Sequence, residues 1–148
     1  MLKKTISFVT FFLVAACLSQ AQLLPGFKPS GSFDEQQMVI ENSPPGTRIL
    51  INAPLKGFEK NDRVLLIFYA LPNGNTIEQT FGKKMKDGDD WHYDIQHIGA
   101  QTRFLRKVMK GRTIVVAYLE NNRKSWPAWT AANADYREEV RDIIDNVK

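Results

Sequence analysis

Two stretches of this chain, Arg63-Val64-Leu65-Leu66-Ile67-Phe68-Tyr69-Ala70 and Thr113-Ile114-Val115-Val116-Ala117-Tyr118-Leu119, are apolar almost without a break. A strand with one wet face alternates apolar and polar residues, because successive side chains point to opposite faces. A run without alternation predicts a strand covered on both faces, as in a parallel sheet flanked by helices. Between the two runs, Asp89 or Asp90 is placed to cap a helix starting near Trp91. Ile95, Ile98, Thr102, Leu105, Val108 and Met109 then recur at three- and four-residue spacing. Arg103, Arg106 and Lys107 fall toward the opposite side and the C-terminal end, where the helix dipole favours cations, and Gly111 suits the stop. Strand, helix, strand in this order predicts a right-handed βαβ unit with two parallel core strands.

Upstream, Met38–Asn42 and Arg48–Asn52 are short strand candidates separated by Ser43-Pro44-Pro45-Gly46, which predicts a hairpin. Leu23–Ser32 is rich in Pro, Gly and Ser and is expected to be an extended arm, and Pro54–Asp62 a connecting loop. Asn133–Lys148 predicts a second helix, capped by Asn133 or Asp135, with Tyr136, Val140, Ile143, Ile144 and Val147 as its apolar stripe. A helix after the second core strand ordinarily leads to a third parallel strand. The expected fold is therefore α/β: an incomplete three-layer α/β/α sandwich with an N-terminal β-hairpin and a βαβ unit.

The N-terminus reads as an export segment. Lys3 and Lys4 precede the apolar run Ile6–Ala16, which is shorter than the about 20 residues a membrane-spanning helix needs. Two processing routes are open. Ser19-Gln20-Ala21 offers small residues for a general signal peptidase, making 1–21 a signal peptide, 22–35 an arm or linker and 36–148 the folded domain. Val14-Ala15-Ala16-Cys17 instead has the form of a lipoprotein box, with Cys17 lipidated. The first route predicts a periplasmic or extracellular protein, the second one anchored at the cell envelope; a membrane is a partner only if Cys17 is lipidated. Cys17 is the sole cysteine, so no disulfide or Cys-based zinc site is available. Net charge is +4, falling to +2 without Lys3 and Lys4, and no long basic run follows them, which argues against nucleic-acid binding.

The loop Pro72-Asn73-Gly74-Asn75 stands at the carboxyl end of the first core strand, where open α/β sheets bind ligands. Gly74 permits positive φ and Asn73 or Asn75 tolerates it, so successive N–H groups here could form an anion-binding nest, or the residues could simply make a turn. Trp126 and Trp129 follow the second core strand; exposed they would line a pocket for a sugar or peptide, buried they would roof the sheet. His92 and His97 do not share a helical face, and a metal site would need His97 with Asp94 and further ligands. Asp87, Asp89, Asp90 and Asp94 lack calcium-loop spacing and are explained by helix capping. No serine lies in a G-x-S-x-G context. No cofactor or metal is expected, and the partners that fit are a small molecule, glycan or peptide.

The hairpin, the strand "RVLLIFYALPNGN", the helix and the strand "TIVVAYLEN" with a helix to follow resemble the N-terminal part of an α/β-hydrolase fold. "DWHYDIQHIGAQTRFL" is similar to a segment beside such loops in exported bacterial hydrolase-like proteins. In that family the loop after the third strand supplies an oxyanion-hole N–H. The resemblance thus implies Gly74 or Asn75 as donor. It also implies esterase- or peptidase-type full-length relatives, whose Ser, acid and His come later in the chain. His92 and His97 stand too early to be the base, so this chain is expected to be a truncated, catalytically silent segment; the alternative is a non-catalytic exported carbohydrate- or peptide-binding module with Asn73, Asn75, Trp126 and Trp129 at its site.

Overall fold

A computed structural model describes residues 23–31, 33–58 and 63–148. The expected export segment, with Cys17 and the Ala21 cleavage site, lies outside them. Five strands make one mixed sheet in the order β1-β2-β3-β5-β4. β1 (Lys28–Pro29), β2 (Glu35–Glu41) and β3 (Thr47–Pro54) are antiparallel neighbours. β5 (Thr113–Asn121) runs antiparallel to β3, and β4 (Val64–Ala70) lies parallel to β5. Four helices complete the described chain: α1 (Ile77–Phe81), α2 (Ile98–Val108), α3 (Trp126–Ala132) and α4 (Tyr136–Val147).

The hairpin forms as expected but is longer than its apolar residues suggest. The Gln36 side chain extends β2 by donating to the carbonyls of Pro54 and Leu55 at 2.9 and 3.3 Å and accepting from Leu24 N–H at 2.7 Å. That triple role fastens the Pro-Gly-rich arm to the sheet. Deeper in, the Glu35 carboxylate is held by Arg106 at 2.9 Å, by Arg103 at 3.4 Å and by Asn52 Nδ2 at 3.2 Å. Arg106 also donates to the carbonyls of Ile114 and Asn52, at 3.0 and 2.9 Å. One buried ionic cluster therefore joins β2, β3, β5 and α2.

Alternation along the central strands feeds two apolar clusters. Ile49, Ile51, Ala53, Val115 and Ala117 pack with Ile143 and Val147 of α4. Leu50, Ile114, Val116 and Tyr118 pack with Ile77, Ile98 and Leu105. Because i and i+2 share a face, the two sets occupy opposite faces of the sheet, which is why β5 reads as an unbroken apolar run.

Two expectations are corrected. The β4 run predicts a central strand covered on both faces; its two faces do pack against the two clusters, but β4 lies at the sheet's edge, parallel to β5, with Val64 50% exposed. β5 is interior, flanked by β3 and β4, and β3 is the middle strand of the five. An apolar run records the burial its side chains require, not how many strands flank it. Nor does a single helix begin at Asp89 or Asp90. Asp90 accepts from His92 N–H at 3.0 Å and caps only a 3₁₀ turn, Trp91–Asp94. His97 then takes left-handed backbone (φ 48°, ψ 40°), and α2 starts at Ile98. The short helix α1 was hidden, because five residues carry too little periodicity to register.

The outer edge of β4 has consequences for handling the protein. Among the described residues no strand pairs with this edge, and an unpaired, apolar strand edge templates further pairing. Concentration-dependent association is expected in sedimentation velocity, and Val64→Lys should reduce it, since a charge on an exposed edge opposes docking. Unchanged association in that variant would place the contact elsewhere.

Buried Tyr118 shares a hydrogen bond of 2.6 Å with Thr102 Oγ1. Burial, partly offset by that bond, pushes its phenol up to about 12. A raised pKa favours the neutral form in the fold, so this contribution is intact below the ordinary value near 10 and is lost as pH climbs from there toward 12. Absorbance titration at 295 nm should show one of the four tyrosines ionising late, together with a loss of stability in that window. Tyr118→Phe should remove the late step; persistence of the step would disprove the assignment.

Candidate functional site at the carboxyl ends of the parallel strands

β4 and β5 end side by side, so the loops that follow them meet. Leu71 N–H donates to Leu119 O at 3.0 Å, keeping the chain on the sheet for one residue past β4. Pro72-Asn73-Gly74-Asn75 then turns outward, with Gly74 at φ 91°. Nothing lies within 4 Å of a Cβ built at Gly74, so the dihedral rather than crowding calls for glycine here. Thr76 closes the loop as N-cap of α1 through a reciprocal capping box with Gln79, at 3.2 and 3.0 Å.

The facing loop is built by Asn121. Its Oδ1 accepts from Arg123 N–H at 3.0 Å and Ser125 N–H at 3.3 Å, while Ser125 Oγ caps α3 through Ala128 N–H at 3.4 Å. Lys124 between them has φ 50°, and its carbonyl accepts from Gly74 N–H at 2.8 Å. This contact ties the two loops together and changes the site. The middle N–H of the expected nest is already spent inside the protein. The N–H of Asn75 has no acceptor among the described residues, so of the two donor candidates Asn75 is the one left available.

The tryptophans do not form an open pocket. Trp129 is 1% exposed, and Trp126, half-buried, packs against the cluster beneath α4, with the rings edge to face at 5.3 Å. Of the two readings of this pair, roofing the sheet is the one seen. The indole N–H of Trp126 is buried with no partner among the described residues.

Elsewhere the polar candidates explain themselves locally. Asp89 accepts from Lys83 Nζ at 2.6 Å and from Lys86 N–H at 2.8 Å, contacts that hold its carboxyl below the ordinary value. Asp90 is held low by the backbone N–H and ring of His92, whose Nδ1 lies 2.5 Å away. His97 Nε2 lies 2.9 Å from Asp94 Oδ1, so the two do pair, but they do so at the surface. Among the described residues, no group of three or more His, Cys, Asp or Glu is placed to hold a metal. Also among them, no helix is long and apolar enough to cross a membrane.

One polar assembly beside the site escaped sequence reasoning. Arg48 bonds Glu78 on α1 and also pairs with Glu41 and Glu120, each at 3.3 Å. The bond to Arg48 lowers the Glu78 carboxyl, and the same bond raises the Arg48 guanidinium against the opposing effect of burial. Glu120 also accepts from Ile77 N–H at 2.8 Å, setting the start of α1. Glu41 faces Arg48 across the hairpin, but Glu78 and Glu120 lie 30 and 72 residues away, so nothing local in the sequence signals them. No family model, curated protein or solved structure matches this chain.

Proposed function

We propose that this chain is the N-terminal part of an exported α/β-hydrolase-like domain, a three-layer α/β/α sandwich whose sheet continues beyond β4. The observation that carries the reading is the strand order β1-β2-β3-β5-β4, with antiparallel strands leading into one parallel pair and the open edge on β4. The reading is supported by α2 and α4 packing with opposite faces of the sheet, and by a capped loop at the carboxyl end of β4. In such a domain a nucleophile on a strand beside β4 would stand next to Asn75, whose N–H is the oxyanion donor. A donor without a nucleophile lowers no barrier, so the chain by itself is catalytically silent.

Two measurements test this. Coding sequence downstream of Lys148 should specify a strand followed by a G-x-S-x-G turn and a helix; absence of that pattern in every frame sinks the proposal. The chain alone should hydrolyse p-nitrophenyl acetate no faster than an equal concentration of a non-catalytic protein, and faster turnover would refute its silence. Export is tested separately by mass spectrometry of the mature N-terminus, which distinguishes a chain starting at Gln22 from one acylated at Cys17.

A further inference from the structure

On the sheet face that carries α1 and α2, away from β4's open edge, lies a groove of about 900 Å³. Its floor is the hairpin: Val39 and Leu50 are cross-strand partners and both line it. Phe33 and Phe81 add apolar surface, and Val39 and Phe33 remain 46% and 48% exposed. Lys84, Arg103 and, at the far end, Arg48 supply charge.

The charges at the two ends are unequal. At one end Arg103 and Arg106 share a single carboxylate, Glu35, which leaves one positive charge over. Arg103 is the one that lines the groove, its guanidinium stacked 3.7 Å from the centroid of the Phe33 ring. Lys84 adds a second positive charge with no carboxylate partner among the described residues, whereas neighbouring Lys83 is neutralised by Asp89 at 2.6 Å. At the other end Arg48 is surrounded by Glu41, Glu78 and Glu120, a surplus of negative charge. An anion entering the groove is therefore drawn toward Arg103 and Lys84, both of which line it, and repelled from Arg48 with its surplus of carboxylates.

We propose that this groove binds an amphiphilic monocarboxylate, its head between Arg103 and Lys84 and its apolar body over Val39, Leu50 and Phe33. Arg103 commits only Nη1 to Glu35, so the guanidinium over Phe33 keeps its remaining N–H donors for a carboxylate. The site does not depend on the sheet continuing past β4, so it stands or falls separately from the hydrolase reading.

The test is titration of the ¹⁵N-labelled full chain with octanoate and, in parallel, octanol, which has the same alkyl length without the charge. Octanoate should saturate, with amide shifts centred on Val39, Lys84 and Arg103, and octanol should bind at least about tenfold more weakly, the loss of one charge-assisted contact. Lys84→Gln, at an exposed side chain, and Arg103→Gln should each weaken octanoate and leave octanol unchanged. Equal binding of the two probes, failure to saturate, shifts centred on Ile67 and Phe104, which line a separate apolar groove between β4 and α2, or octanoate binding untouched by Lys84→Gln would each overturn the proposal.

Discussion

Replacing Glu35 with Ala is expected to lower the unfolding free energy by about 3–5 kcal/mol, the usual cost of stranding a buried charge. Glu35 is almost fully buried, and its carboxylate is the anion that both Arg103 and Arg106 contact. Arg106 cannot withdraw to water without giving up its bonds to the carbonyls of Ile114 and Asn52. The loss would also leave Asn52 Nδ2 unpaired, on a side chain whose Oδ1 is already without a partner among the described residues. Urea denaturation of Glu35→Met, of Arg106→Met and of the Glu35→Met/Arg106→Met double variant measures the coupling. The double variant should be more stable than the sum of the single losses by at least about 1 kcal/mol, because removing both charges strands neither. Strict additivity would mean that the cluster is a set of independent contacts.

Trp129→Ala should cost a similar amount, about 3–5 kcal/mol, as expected for emptying a fully buried indole site. The argument is geometric: Trp129 is sealed, its ring edge to face with Trp126. Its carbonyl also accepts from Asn133 N–H and from the Asn133 side chain, at 3.1 and 2.8 Å, closing the C-terminal end of α3. A residue lining a ligand pocket would behave differently, with binding lost and thermal stability little changed. A melting temperature within a degree or two of the parent protein would contradict the burial and reopen the pocket reading; a large drop supports the roof.

The contrast between these two residues shows where sequence reasoning reached and where it stopped. Trp129 had two readings in the sequence, and burial was one of them; the hydrophobicity of the ring carried that information. Glu35 had none. A glutamate outside any apolar pattern reads as a surface residue, and its partners lie 17, 68 and 71 positions away. The same applies to the candidate donor loop. Its position after β4, the glycine at positive φ and the turn chemistry were all visible in Pro72-Asn73-Gly74-Asn75. That Gly74 N–H is occupied by Lys124 O depends on two loops 50 residues apart meeting at the end of a parallel pair.

The segment between the core strands marks a different limit. Periodicity over Ile95–Met109 located α2, because a packed helical face repeats every three to four residues. It could not show the break at His97, where one left-handed residue separates a 3₁₀ turn from the helix. Gly99 sits where a Cβ would come within 2.7 Å of the Phe81 ring, so α2 is positioned by a close approach to α1. Alternation, period and turn residues are local properties, and they are enough to give four of the five strands, the two longer helices, the hairpin and the parallel sense of β4 and β5, but not β1, which lies in the segment expected to be an arm. Only the assembled fold shows that β5 is interior and β4 the edge, that Glu35 anchors a buried ionic cluster, and which N–H of the loop is left over. Each of those depends on which distant segments come together, and chain-local chemistry does not encode a neighbour's identity.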